Sequence, residues 1–355
     1  MEIQATPRIM EIGDNFVDGF LENLSEPISI LWLFTGTLFS IALLAYFIRK
    51  EWWPVYSILA VVVSQVLIFI TWDENKWATL INLVILIASV PALGKYQFNK
   101  KVQKEIAGLC RRLSNPSAGK IKEKDLESLP EIIRKWLYNS GVINQPEVTS
   151  VRLKQRGEMR LKPEGKWMDF RAVQYFDAKK PCFIWVSRVQ SNPFLYFEGR
   201  DLLKNGRGKM LVRLFSVFSI VNKKNDPKLN SGALQRFLAE MCWFPQAALY
   251  EYVRWEQLDK TSVKAYLTSE EETVEGIFRF SENGELKSFE TDRYYGASKG
   301  SKKIPWKTEI LEFSTFSGIH LPSRCKVTWE LPEGSFNWLE LEVTNLEFNV
   351  NRPYF

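Results

Sequence analysis

Arg236 and Glu240 stand four residues apart in the stretch GALQRFLAEMCWFP, 232–245. On a helix this spacing puts both side chains on one face, a single turn apart. The pair then has two uses. It can be a surface ion pair contributing about 0.3–0.5 kcal/mol. Alternatively it points into a hollow beside Trp243 and holds the polar head of a ligand, since a guanidinium grips carboxylate or phosphate in a forked geometry. Arg171, Arg188 and Arg213 lie on strand-like runs that could converge on the same hollow. The candidate ligand-binding set is Arg213, Arg236, Phe237, Glu240 and Trp243.

No other constellation offers chemistry. With His320 the only histidine, in the turn-like SGIHLP, neither a zinc site nor a Ser-His-Asp arrangement can be assembled in its usual form. In GRDLLKNGRGKM, Leu203 stands where a phosphate loop has its first glycine and Met210 where it has Ser or Thr, so the run reads as a hairpin. Glu270, Glu271 and Glu272 read as a solvated turn. Cys110, Cys182, Cys242 and Cys325 are far apart and show no Cys-x-x-Cys pair. No catalytic residue, metal site or cofactor is expected. The net charge of +6 comes without a basic helix or an RNA-binding signature, which argues against nucleic acid.

The elements that must position these residues change character along the chain. Three apolar runs, Ile28–Ile48, Pro54–Trp72 and Trp77–Leu93, each approach the ~20 residues needed to cross a bilayer as a helix. Charges are confined to their joints, and Trp52, Trp53, Trp72 and Trp77 fall at the expected interfaces. A signal peptide is disfavoured, because an acidic stretch precedes the first run. Lys95, Lys100, Lys101, Lys104, Arg111 and Arg112 follow the third run, whereas Arg8 is the sole basic residue of the arm 1–27. Positive residues stay inside, so the arm is expected outside and the C-terminal part in the cytoplasm of a bacterial inner-membrane protein.

The expected organisation is an acidic arm 1–27, three transmembrane helices in 28–94, a basic helical linker 95–145 and a β domain 146–355. In the linker, Ser128 and Glu131 have capping-box spacing and Gly141 supplies a stop. Beyond Pro146 about a dozen short runs alternate apolar and polar residues between tight turns such as Asn205-Gly206 and Asn283-Gly284, the pattern of antiparallel strands. In the last strand the apolar positions Leu339, Leu341 and Val343 change phase to Leu346 and Phe348, which implies a bulge or the strand's end. Only 229–249 breaks the alternation: Leu234, Phe237, Leu238 and Met241 recur at helical spacing. A lone helix in a long antiparallel run must bury that stripe, and the concave face of a curled sheet is the place for it. The fold class is therefore transmembrane α-helices followed by a mainly β half-open barrel with a helix over its concave face.

LPEIIRKWLYNSGVINQP, RLKQRGEMRL, KWMDFRAVQYF, GRGKMLVRLFSVFSIV, GALQRFLAEMCWFPQAAL and GIHLPSRCKVTWELPEG occur in an order that resembles an uncharacterised bacterial family, a domain of unknown function often found behind N-terminal membrane helices. This resemblance runs from Leu129 to Phe348. More remotely, FSTFSGIHLPSRCKV is similar to a hairpin of lipoprotein-localisation-factor-like proteins, whose fold is a half-open barrel with helices over an apolar concave face. That similarity implies binding of a lipid or acyl chain. Those carriers work outside the cytoplasmic membrane, whereas the charge bias here places the domain inside.

The expected function is non-catalytic binding of a lipid or other apolar ligand by a membrane-anchored domain, with the bilayer as partner. An enzyme acting on an amphiphile and a scaffold docking a protein are the rivals. Clustered buried carboxylates would favour the enzyme, and a filled core with an exposed sheet edge the scaffold.

Overall fold

The computed structural model describes residues 7–113, 119–193, 195–296 and 300–354, and for 7–26 the backbone alone, so the acidic side chains of the arm lie outside the described residues. The chain divides into two compact units, Met1–Asn99 and Lys100–Phe355.

The first unit holds α1 (Pro7–Phe47), α2 (Trp53–Ile70), the single turn α3 (Trp72–Asn75) and the start of α4 (Ala78–Cys110). Three stretches, Pro27–Phe47, Trp53–Ile70 and Ala78–Cys110, are long and apolar enough to cross a membrane. Most of their large apolar side chains point outward: Leu33, Phe47, Val84 and Ile87 are all exposed. The inward positions combine a few larger apolar residues, such as Leu67 and Ile68, with small and polar ones. Ser57 and Ser89 share a hydrogen bond of 2.8 Å, and the Asn82 amide donates to Ser64 and Gln65, both at 3.1 Å. An apolar exterior around a hydrogen-bonded interior is the packing that suits helices in lipid.

In the second unit, α5 (Glu131–Asn139) precedes thirteen strands: β1 (Ser150–Met159), β2 (Met168–Asp177), β3 (Cys182–Gln190), β4 (Tyr196–Lys204), β5 (Arg207–Leu214), β6 (Phe218–Lys224), β7 (Val253–Gln257), β8 (Ser262–Ser269), β9 (Glu272–Phe280), β10 (Leu286–Tyr294), β11 (Lys303–Phe316), β12 (Ile319–Leu331) and β13 (Gly334–Phe348). All thirteen form one antiparallel sheet in the order β6-β5-β4-β3-β2-β1-β13-β12-β11-β10-β9-β8-β7. The chain starts at the middle, winds outward to the edge β6, crosses to the edge β7, and winds back until β13 pairs with β1. The crossing is α6 (Pro227–Glu240) followed by two 3-10 turns, Met241–Trp243 and Pro245–Leu249.

This crossing shows how strongly the sheet curls. The helix packs against β4 and β5 on one flank and against β8, β9 and β10 on the other. In a flat sheet β5 and β9 would stand about 43 Å apart at ordinary strand spacing. A helix about 10 Å wide meets both only if the sheet wraps around it. The expected half-open barrel with a helix on its concave face is the observed architecture. Leu234, Phe237, Leu238 and Met241 are fully buried, so the apolar stripe is the plug of the hollow.

Local sequence explains most element boundaries. Asp226 caps α6 by accepting from the Lys228 amide at 2.9 Å, and Pro227 occupies the first turn, where its missing N–H costs nothing. The phase change in β13 is a bulge: Lys154 faces Asn345 and Gln155 faces Val343, so Thr344 is skipped. Gly157 of β1 must be glycine, because a Cβ there would lie 2.0 Å from the Glu340 carbonyl oxygen and 2.9 Å from the Phe170 ring. Two details differ from the sequence reading. α5 starts at Glu131 after Pro130 and has no side-chain cap, so Ser128 closes no capping box. His320 is the second residue of β12 and stacks on Phe313 at 5.0 Å.

The last third of α4 belongs to the sheet unit. Val102, Ile106 and Leu109 are buried, and Glu105 pairs with Arg200 of β4 at 3.2 Å. By strand register Arg200 faces away from α6, as do Tyr175, Ile184, Leu202 and Leu211, and all five are buried. This stretch of helix therefore covers part of the sheet's outer face.

Candidate functional site

The concave face is apolar except for one polar band, built where inward positions of adjacent strands carry polar residues. Asp201 of β4, Gln174 of β2 and Gln155 of β1 share that face with Phe176, Phe183 and Leu203. Above them α6 presents Arg236 and Glu240.

Arg236 Nε donates to Glu240 Oε1 at 2.8 Å and Nη1 to Asp201 Oδ2 at 3.0 Å. Gln174 Nε2 donates to the other Glu240 oxygen at 2.7 Å. The guanidinium lies over the rings of Trp185, 4.8 Å from the centroid, and Phe183, 5.1 Å. Trp185 in turn donates its indole N–H to Gln155 Oε1 at 2.8 Å. On the opposite flank Arg293 of β10 donates to the Gly232 carbonyl at 2.9 Å and lies over Trp306 at 4.6 Å. Next to it Gln235 donates to Thr291 Oγ1 and to the Asp292 carbonyl.

Burial sets the electrostatics of this network. It pushes the Asp201 and Glu240 carboxyls above their usual range, against the pull of Arg236 on both. It also lowers Arg293 to about 10, helped by the like charge of Arg236. Arg236 itself keeps one-fifth of its side-chain surface in contact with solvent, so the network is sunken but not sealed.

Several polar atoms on this face have no partner among the described residues: Gln155 Nε2 and Gln174 Oε1 on one flank, Thr308 Oγ1 and Trp306 Nε1 on the other, and Gln235 Oε1 on α6. All five are buried. Each such atom costs about 1–3 kcal/mol when nothing meets it.

The residues singled out from sequence divide into two groups. Arg236 and Glu240 form the heart of the network, and their pairing is largely withdrawn from solvent, not a surface pair. Phe237 and Trp243 are core residues beside it; the Trp243 indole donates to the Pro322 carbonyl at 3.1 Å. Arg213 does not join: in strand register it stands opposite Glu198 on the outer face, as Arg188 does, so the expected convergence of Arg171, Arg188 and Arg213 on the hollow does not occur. Sequence reading overlooked Asp201, Gln174, Gln155, Trp185 and Arg293. The signal was present, because Asp201 alternates with Phe197 and Leu203, and Gln174 with Ala172 and Phe176. A polar residue inside an apolar alternating set marks the site.

A separate cleft of about 1270 Å³ is lined by residues that include Asp177, Lys179, Tyr250, Tyr252 and Trp255. Several of its polar groups are already engaged: both tyrosine hydroxyls and the Trp255 indole donate to backbone carbonyls, and Lys179 pairs with Glu147. The described residues contain no cluster able to hold a metal ion.

Among solved structures, the chain is similar to a LolA superfamily protein from Nitrosomonas europaea, at 12% identity and a TM-score of 0.33, over 61% of this chain and 91% of that one. It is also similar to a DUF1329 family protein from Desulfovibrio piger, at 11% identity and a TM-score of 0.35, over 71% and 95%. No curated protein matches it in sequence. Residues 119–341, which include the whole network and all of the sheet but the end of β13, match the family of unknown function DUF6544, and the protein belongs to that family.

Proposed function

We propose that the sheet unit binds an amphiphilic ligand without transforming it, with the apolar part against the concave face and a polar group in the band around Gln155, Gln174 and Gln235. The observation that carries this reading is the set of unpartnered buried polar atoms on both flanks of an otherwise apolar hollow. Arg236 is already held by two carboxylates. The polar group is therefore a hydrogen-bonding one such as an ester, amide or hydroxyl, with no requirement for a bare anion. In this reading the three apolar helices anchor the unit to a bacterial inner membrane, and the excess of cations after the third supports the cytoplasmic side. The folding unit on that side begins near Lys100.

Mass spectrometry of the full-length protein in lipid nanodiscs, freed of detergent, tests the reading. A retained amphiphile is expected, with Gln155→Leu/Gln174→Leu reducing its retention roughly tenfold, the loss of one or two hydrogen bonds. Equal retention by wild type and variant would refute it. Asp201 and Glu240, two buried carboxyls on one arginine, favour hydrolytic chemistry as a second reading. Recovery of a cleaved amphiphile from the wild type but of an intact one from Asp201→Asn would support it.

A further inference from the structure

The outer face of the sheet's first half carries a row of arginines. Arg156, Arg171 and Arg188 are directly opposite one another on β1, β2 and β3, and Glu198 and Arg213 continue the row on β4 and β5. Like charges facing each other across strands are unfavourable. Arg156 is relieved by Glu342 at 2.8 Å. Arg171 makes no ion pair among the described residues, and Arg188 lies over the Tyr196 ring at 4.1 Å without one. Both are exposed. The acidic Glu158 and Asp169 stand nearby without pairing to either.

Just beyond this row the hairpins turn, and their tips are apolar. Leu161 is 73% exposed and Trp167 36% at the β1–β2 tip; Phe218 is 64% exposed and Ile220 54% in β6, an edge strand with hardly a buried side chain. Lys162 and Lys166 share the first tip with one acidic residue, Glu164. The β5–β6 tip is held rigidly. Phe215 and Ser216 both have positive φ, 52° and 62°, which bulky residues adopt only under constraint. Ser216 Oγ donates to Glu198 at 2.6 Å, and the Phe215 ring meets Tyr196 edge-on at 5.7 Å. An apolar edge strand displayed in water invites aggregation unless something covers it.

Charge says what can cover it: Lys162 and Lys166 at the first tip and Arg171 and Arg188 behind it make no ion pair among the described residues, so a surface of anionic headgroups is complementary to this end of the sheet.

We infer that the β1–β2 and β5–β6 hairpin tips dock on an anionic phospholipid surface, with Leu161, Trp167, Phe218 and Ile220 entering the headgroup region and Arg171 and Arg188 meeting lipid phosphates behind them. Exposed aromatic and aliphatic side chains flanked by cations are the chemistry of an interfacial membrane contact. This rests on the membrane-anchored reading above. Docking would hold the curled sheet against the surface from which an amphiphile is taken.

The test uses the full-length protein bearing Phe218→Cys labelled with an environment-sensitive NBD fluorophore; the four native cysteines are buried. The labelled protein is reconstituted into phosphatidylcholine vesicles with or without phosphatidylglycerol. Headgroup spin-labelled lipid is expected to quench the label at least about threefold more strongly with phosphatidylglycerol, since each cation near the surface contributes measurably to attraction. Arg171→Gln/Arg188→Gln should abolish that difference, and the same label at Lys260→Cys should show none. A label at 218 that is open to aqueous iodide in anionic vesicles, or shielded only by added acidic protein, would overturn the inference. Vesicle flotation in the same samples reports on the anchor separately: co-floating protein with an unquenched label refutes docking alone.

Discussion

Within the one sheet, Arg236 in the hollow and the pair Arg171 and Arg188 on the outer face are handled in opposite ways. On the inner face Arg236 is matched by Asp201 and Glu240, and Gln174 completes the Glu240 shell, so charge is neutralised where water is scarce. On the outer face Arg171 and Arg188 oppose each other with no carboxylate between them. Desolvation explains the difference. An unpaired charge in the hollow would cost several kcal/mol, whereas water screens the outer row enough for it to persist. Exposed, unneutralised charge is available to a partner, and buried, neutralised charge is architecture.

The largest effect should come from stripping the outer face. A chain starting at Ser128 loses Val102, Ile106 and Leu109 and uncovers Tyr175, Ile184, Leu202 and Leu211, at about 1.5–3 kcal/mol for each buried side chain. It should show no cooperative melt by circular dichroism, while a chain starting at Lys95 should melt cooperatively. On the inner face, Phe237→Ala should destabilise the sheet unit by about 3–5 kcal/mol in chemical denaturation, because the ring is fully buried in the plug.

Arg236→Met should come next. Breaking a buried ion pair costs about 3–5 kcal/mol, and the residual solvent contact of these side chains brings the expected loss to about 2–3 kcal/mol at neutral pH. The loss should shrink on acidification. Burial raises the Asp201 and Glu240 carboxyls in the folded state, so the folded chain keeps protons that the unfolded chain has released. The network's contribution therefore falls as pH rises from the ordinary carboxyl range through the raised folded values, and recovers as pH falls back. Glu347 on the outer face has the opposite sign. Its hydrogen bonds to Arg152 hold its carboxyl below the usual range, so its contribution is full above the unfolded value and is lost as pH falls through the folded one. Stability measured against pH should flatten at the raised end in Asp201→Asn/Glu240→Gln and at the low end in Glu347→Gln.

The smallest effect sharpens the contrast most. Arg171→Glu places a carboxylate between Arg156 and Arg188 and should stabilise the unit by about 0.2–1 kcal/mol. The same change should weaken the anionic-lipid response of the label at Phe218. A substitution that raises stability while lowering docking separates a functional charge from a structural one.

Alternation and helical spacing are local, and they made the architecture readable. The strands, the single interrupting helix, the Asn205-Gly206 hairpin and the bulge near Thr344 all follow from short-range steric and burial patterns in the chain. The buried stripe Leu234, Phe237, Leu238 and Met241 was determined in the same way. The site was readable only in part: Arg236 and Glu240 stand out by spacing, but Asp201 is thirty-five residues away and Gln174 sixty-two from Arg236, and no local rule joins them.

Tertiary structure decided which face each arginine meets. Along a strand, one residue of register moves a side chain from the hollow to the outside, and the register of β4 and β5 puts Arg213 outside and Asp201 within. Wrapping the sheet around α6 then brings β4 and β10 to the two sides of one helix, so that Arg236 and Arg293 act in one electrostatic neighbourhood. Sequence set the alternation, which depends on neighbours; the partners of each charge depend on how far the sheet curls, which depends on every strand at once.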